Sequence, residues 1–258
     1  MSVLTGTGVT QFVVVTGAPR SGTTFISDWI TECRGAYCVH EVMSELIAKD
    51  ANEILGILLQ CARTGRDRIA KLRQREFIRW DSPKVELSPW LLALKQPVIW
   101  TRDTRPYAVD GLVRDSRGRY VVLVRHPIDV VASGRRRAQK TKNWPGFSVE
   151  EHCAFWLEAI ELARAAEDEG IPVTIVRQEE LLINADGVRQ SLSGWLNLPL
   201  RSFTGHEYQE AELSHKRSTT TCNRGSPGSG ARSLLTPAEI ILVRKLTEKR
   251  AQEFGYVV

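Results

Sequence analysis

Phe12-Val13-Val14-Val15-Thr16-Gly17-Ala18-Pro19-Arg20-Ser21-Gly22-Thr23-Thr24 is the stretch on which the fold turns. Its first five residues are β-branched or apolar without alternation, which suits a strand buried on both faces, as in a parallel sheet. A glycine turn follows. From Thr23 to Glu32 the apolar residues Phe25, Ile26, Trp29 and Ile30 recur at helical spacing, so the unit reads strand, turn, helix. Gly17 to Thr24 also has the frame of a phosphate-binding loop, G-x-x-x-x-G-K-S/T, with Thr23 where nucleotide-hydrolysing proteins carry Lys. Such a turn aims backbone N–H groups and the positive end of a helix dipole at one anion. Without the Lys, a triphosphate with Mg²⁺ is a poor ligand, and the cation must come from Arg20. A bare glycine turn between strand and helix is the plain alternative; strand, loop, cation, hydroxyls and helix coinciding favour anion binding.

Working outward, Tyr120 to Val124 is a second buried-strand run ending at Arg125-His126-Pro127, after which Ile128 to Arg137 is expected to be helical. A helix at about Ser148 to Glu169 leads to a third run, Ile171 to Val176. Alternating strands and helices predict an α/β protein: a P-loop-like parallel sheet flanked by helices. Glu45 to Leu72 is helix-rich, with apolar Ile54, Leu55, Leu58 and Leu59, whereas Asp81 to Gln96 is interrupted by Pro83 and Pro89. Gln190 to Leu198 predicts another helix, and Thr236 to Glu253 a last one opened by a capping box, Thr236-Pro237-Ala238-Glu239. His215 to Ser233, polar, basic and rich in Gly and Ser, reads as a mobile loop.

The 258 residues suit one domain spanning 1–258, and the 42% hydrophobic and 25% charged fractions exclude disordered and fibrous classes. Net charge is +5, with 26 arginines against nine lysines. Arginine is the better bidentate partner for phosphate and sulfate oxygens, although a compositional habit would give the same bias. The five cysteines, at 33, 38, 61, 153 and 222, include no C-x-x-C pair, so neither a disulfide framework nor a zinc site is expected. Met1 to Gln11 carries no basic side chain, and Phe12 to Val15 is too short for a signal segment or membrane span. A cytoplasmic protein without membrane attachment is expected.

Arg125 and Ser133 flank a second strand-to-helix junction, eight residues apart, at the sheet edge where open parallel sheets bind ligands. Two anion sites at strand ends point to one ligand with two separated phosphates. Here the chain resembles the sulfotransferases that use 3′-phosphoadenosine 5′-phosphosulfate (PAPS). Pro19-Arg20-Ser21-Gly22-Thr23-Thr24 is similar to their 5′-phosphosulfate loop, and Arg125 to Ser133 to their 3′-phosphate motif, R-x-P-x-D-x-x-x-S. Arg177-Gln178-Glu179-Glu180-Leu181 resembles their R-Y-E-D-L, Gly230-Ala231-Arg232 their glycine-basic loop, and Gly255-Tyr256 also fits. The spelling P-R-S-G-T-T is closest to the tyrosylprotein and bacterial small-molecule branches.

The resemblance implies the sulfotransferase fold and in-line transfer of a sulfuryl group from PAPS to a small-molecule, glycan or peptide acceptor hydroxyl, without metal. It implies donor contacts from Pro19, Arg20, Ser21, Gly22, Thr23, Thr24, Arg125, Ser133, Arg224 and Arg232, with the 215–233 loop folding over the donor. Glu41, 21 positions after Arg20, matches the spacing of the catalytic Glu in the tyrosylprotein enzymes and is the first choice of base. His40 is second, because imidazole titrates nearer neutrality. A solvated loop carboxylate and a structural histidine are the plain alternatives. Arg102-Asp103 falls where relatives carry Lys-Asp or Lys-Thr-Pro. Arg135-Arg136-Arg137 reads first as a solvated helix face, and Trp144, Phe147 and Trp156 first as core. Rival readings are a P-loop kinase or NTPase on the same fold, disfavoured by Thr23, and a basic nucleic-acid-binding module; no nucleic-acid partner is expected.

Overall fold

A computed structural model describes residues 10–31, 33, 36–40, 53, 55–56, 58–59, 91–95, 113–140, 146–202 and 232–258. Five strands are described: β1 (Gln11–Gly17), β2 (Ala36–His40), β3 (Leu91–Lys95), β4 (Arg119–Val124) and β5 (Val173–Arg177). They form one wholly parallel sheet in the order β2-β3-β1-β4-β5. The helices are α1 (Thr23–Thr31), α2 (Pro127–Lys140), α3 (Val149–Asp168), α4 (Gln178–Ile183), α5 (Ala185–Leu196) and α6 (Pro237–Glu253).

The expected first unit forms as read. Val13 and Val15 of β1 and Val121 and Leu123 of β4 pack on one face with Ile26, Trp29 and Ile30 of α1 and Leu192 and Leu196 of α5. Phe12 and Val14 are equally buried on the opposite face, since successive strand residues alternate. There Val124 packs with Trp156 and Ile160 of α3 and Ala251 and Tyr256 beyond it. Each such side chain taken from water contributes about 1.5–3 kcal/mol. Helices on both faces explain why the strands read as continuous apolar runs rather than alternating ones.

Capping chemistry sets the long helices. Ser148 caps α3, accepting from the Glu151 N–H while Glu151 accepts from the Ser148 N–H, and Thr236 with Glu239 closes the same box on α6. Differences lie at the margins. Helix α2 runs on to Lys140, three residues past the expected end. β5 begins at Val173, Pro172 only lending its carbonyl to the Tyr120 N–H at 2.9 Å. Helix α5 starts at Ala185, not Gln190, because the Asn184 side chain caps it through the Gly187 N–H.

Two strands were not anticipated. β2 lies within what was read as the approach to Glu41, and β3 within the segment thought interrupted by prolines. Leu91-Leu92-Ala93-Leu94 consists of strong helix formers, and its strand state comes from pairing with β1 on one side and β2 on the other. Within the helix-rich stretch, Leu55, Leu58 and Leu59 are helical and buried; Ile54 lies outside the described residues.

Candidate active site

Because all five strands are parallel, Gly17, His40, Lys95, Val124 and Arg177 end at one edge of the sheet. The chain leaves β1 toward β2 and leaves β4 toward β5, in opposite directions along the sheet. The crevice between the carboxyl ends of β1 and β4 is therefore the topological switch point, where open α/β sheets take their ligands.

The turn between β1 and α1 is tightly built. Ser21 donates its N–H and its hydroxyl to the Ala18 carbonyl, at 3.1 and 2.6 Å. Gly17 (φ 151°), Arg20 (φ 76°) and Gly22 (φ 98°) all lie at positive φ. For Arg20 this is a conformation that a side chain makes costly, by about 1–3 kcal/mol, and such residues cluster at functional sites. The first turn of α1 holds no acidic residue, so no carboxylate of its own competes for the N–H groups that a helix start leaves without intrahelical partners.

Arg20, Arg125 and Ser133 come together across more than 100 residues of sequence. Arg20 Nε donates to Ser133 Oγ at 3.3 Å, and Arg125 Nη1 donates to the Arg20 carbonyl at 3.1 Å. The two motifs thus meet across the β1/β4 crevice, bringing two arginines and a serine together. Arg232 reaches the same region, gripping Asp129 of α2 through Nε at 2.7 Å and Nη2 at 3.1 Å. Asp129, the acidic position of the R-x-P-x-D-x-x-x-S motif, is deeply buried and anchors that arginine, whose Nη1 takes no part in the pair. Bidentate pairing holds the guanidinium plane in a fixed orientation.

The basic run is not the freely solvated face first read. Arg135, Arg136 and Arg137 are half-buried, and Arg135 pairs with Glu239 of α6. Trp156 is core, as expected, and its indole N–H donates to the Arg125 carbonyl at 2.8 Å. Trp144 lies outside the described residues. Cys153 is a core thiol pushed up to about 12, chiefly by burial and then by Glu150, so it is unreactive at neutral pH.

His152 is buried between Phe147 and Phe155 and lies against Gly134, where a Cβ would fall 2.2 Å from the ring. Burial first, offset by Glu151, then the Arg135 and Arg20 charges, lower its pKa from 6.5 to about 4. The unfolded chain therefore takes up this proton first as pH falls. The resulting stability is complete above about pH 6.5 and is lost toward pH 4, amounting to roughly 3 kcal/mol. His126, also lowered chiefly by burial, acts in the same direction. Thermal unfolding at pH 7.5 and 4.5 checks this: His152→Gln should lose less stability on acidification than the unmodified chain, and equal losses would refute the assignment.

Among the catalytic candidates, the backbone of His40 ends β2 at the ligand edge. Glu41 follows directly and lies outside the described residues, as do Arg102, Arg224 and residues 215–231. The spacing from Arg20 to Glu41 thus contains a strand as well as helix α1. Lys95, which the sequence reading did not single out, ends β3, paired in register with Val15 of β1 and His40 of β2. The signal was a lysine closing an apolar run just before Gln96-Pro97, obscured by reading 81–96 as a broken segment. Among the described residues, no group of His, Cys, Asp and Glu is placed to hold a metal ion, and no helix is long and apolar enough to cross a membrane.

No protein-family model matches the sequence, and no curated protein sequence matches it. Solved structures do match. The sulfotransferase domain of the Synechococcus PCC 7002 olefin synthase superposes with a TM-score of 0.56 at 15% identity, over 97% of this chain and 96% of that one. The chain has the sulfotransferase fold. The sulfotransferase domain from the curacin biosynthetic pathway agrees, with a TM-score of 0.54 at 16% identity over 97% and 99% of the two chains. A mouse sulfotransferase solved as a complex with PAP gives 0.50 at 12% identity over 94% and 85%. In this sulfotransferase fold the P-loop-like sheet expected from Phe12 to Thr24 is realised with both motifs at one edge.

Proposed function

We propose that the chain is a sulfotransferase that moves the sulfuryl group of PAPS to an acceptor hydroxyl. The observation that carries this reading is the joining of Arg20, Arg125 and Ser133 at the ends of two adjacent strands. A ligand with one anion at the α1 start and a second at the β4–α2 junction fits that arrangement; a donor with phosphates at 5′ and 3′ of one ribose has this form. The mouse neighbour's complex with PAP, the desulfonated form of PAPS, supports it.

PAPS supplies the activated sulfuryl group and leaves as its 3′,5′-bisphosphate. The chain's own residues bind and orient. Backbone groups of Gly22, Thr23 and Thr24 and the Arg20 guanidinium hold the 5′ group and offset charge on the bridging oxygen; Arg125 and Ser133 hold the 3′-phosphate; Arg232 adds a cation in the same region. Glu41 takes the acceptor's proton as the new oxygen–sulfur bond forms and the sulfur–oxygen bond to the phosphate breaks. No residue in this scheme needs a metal ion. The acceptor is a small molecule, glycan or peptide carrying a hydroxyl.

Isothermal titration with adenosine 3′,5′-bisphosphate tests the donor site. Binding by the unmodified chain should weaken about 10- to 100-fold in Arg125→Ala, the loss of a charge-assisted phosphate contact. No binding at all, or undiminished binding by the variant, would overturn the reading, and turnover of ATP would favour a kinase or NTPase.

A further inference from the structure

One peptide unit at the site is held from both sides. The Arg125 carbonyl accepts the indole N–H of Trp156 at 2.8 Å, and the N–H of the same peptide, on His126, donates to Glu179 Oε1 at 2.8 Å. Glu179 belongs to α4, which starts directly after β5. Its other oxygen, Oε2, accepts the Tyr256 hydroxyl at 2.8 Å. Tyr256 is buried, its ring lies 4.7 Å below the Arg177 guanidinium and edge-on to His126 at 5.3 Å. The His126 ring in turn meets the Val257 carbonyl at 3.0 Å through Nε2. A carbonyl only accepts, so that nitrogen carries the proton.

Strand β4 ends at Val124 and α2 begins at Pro127, so the pinned peptide is the hinge between them. Its orientation sets the direction in which the Arg125 side chain leaves the strand and the direction taken by α2, whose second turn carries Ser133. The peptide lies past the last residue of β4 and before the first of α2. Side chains from α3 and α4 hold it, and a buried hydrogen bond to a carboxylate is among the stronger kinds.

We propose that Glu179 and Tyr256 are positioning residues for Arg125: together they fix the 125–126 peptide so that the guanidinium meets the second, 3′ anion of the ligand. This rests on the proposed donor site and adds residues distant from it in sequence. Tyr256 suits the task because burial and the Glu179 charge raise its pKa, keeping the hydroxyl a donor throughout the neutral range. Neither side chain touches the reacting atoms in this scheme.

The test compares dissociation constants for adenosine 3′,5′-bisphosphate and adenosine 5′-phosphate, whose ratio isolates the 3′-phosphate contact. Glu179→Ala should reduce that ratio about five-fold or more, Tyr256→Phe by about two- to three-fold, and Glu179→Gln, which keeps an acceptor for the His126 N–H, should restore much of it. In an Arg125→Ala background the further change Glu179→Ala should leave the ratio nearly unaltered, since the effect passes through Arg125. A ratio unchanged in Glu179→Ala and Tyr256→Phe, with only the unfolding temperature lowered, would overturn the inference and leave the donor site standing. If Glu179→Ala does not fold, Tyr256→Phe decides. An unmodified chain that binds neither nucleotide would overturn both the donor site and the inference.

Discussion

Replacing Glu41 by Gln should lower turnover by about two to four orders of magnitude while leaving the affinity for adenosine 3′,5′-bisphosphate unchanged, the signature of losing a general base. An acceptor hydroxyl has to shed its proton as it attacks, and Asp129, a carboxylate of the same region, is buried and already committed to Arg232. β2 brings the chain to the ligand edge at His40, one residue before Glu41. Gln keeps the size of the side chain and removes its basicity, so single-turnover rates with saturating PAPS report the proton step alone. Turnover near that of the unmodified chain would remove Glu41 from the role. A loss confined to His40→Gln would transfer the role to the imidazole.

Gly17→Ala should be strongly destabilising for a single added methyl. A Cβ on Gly17 would lie 2.4 Å from the Leu123 carbonyl oxygen and 2.7 Å from Ser21 Oγ, on a backbone at φ 151°. The first neighbour is main chain of β4, in register with Gly17 itself, and cannot turn aside as a side-chain end can. Relief would require β1 and β4 to part where the ligand crevice opens. A buried clash with backbone combined with an unfavourable φ ranks among the large effects of single substitutions, about 3–5 kcal/mol, or roughly 10 °C in unfolding temperature for a chain of this size. Calorimetry of the variant checks it, together with loss of bisphosphate binding from whatever folded fraction remains. An unfolding temperature within a degree or two of the unmodified chain would show that the turn has room that the geometry denies.

Legibility varied with the range of the interactions involved. β1, the glycine turn and α1 could be read because their signals are local: an unbroken β-branched run, glycines where φ must be positive, and apolar residues at helical spacing. Helices α3 and α6 were legible nearly to the residue, α3 from its apolar spacing and α6 from a capping box written in four consecutive positions. α5 was misplaced by five residues at its start, where a small Asn184 cap is followed by Gly187, a weak helix former. Arg20, Arg125 and Ser133, singled out by motif, lie together in the structure, whereas Lys95 at the same strand edge and the partners of Glu179 were not legible.

By itself the sequence determined the class of fold and the two strand-to-helix turns at Gly17 to Thr24 and Arg125 to Ser133, because both are carried by short contiguous stretches whose backbone behaviour is intrinsic. Tertiary structure alone decided that Leu91 to Lys95 is a strand, since helix formers become extended only when two parallel neighbours supply their hydrogen bonds. It alone decided that Arg232 grips Asp129 and that Trp156, Glu179 and Tyr256 hold the turn beneath Arg125. Those partners are separated by 31 to 103 residues. Nothing local prefers one such pairing over another; the choice is made when the parallel sheet brings all its strand ends to a single edge.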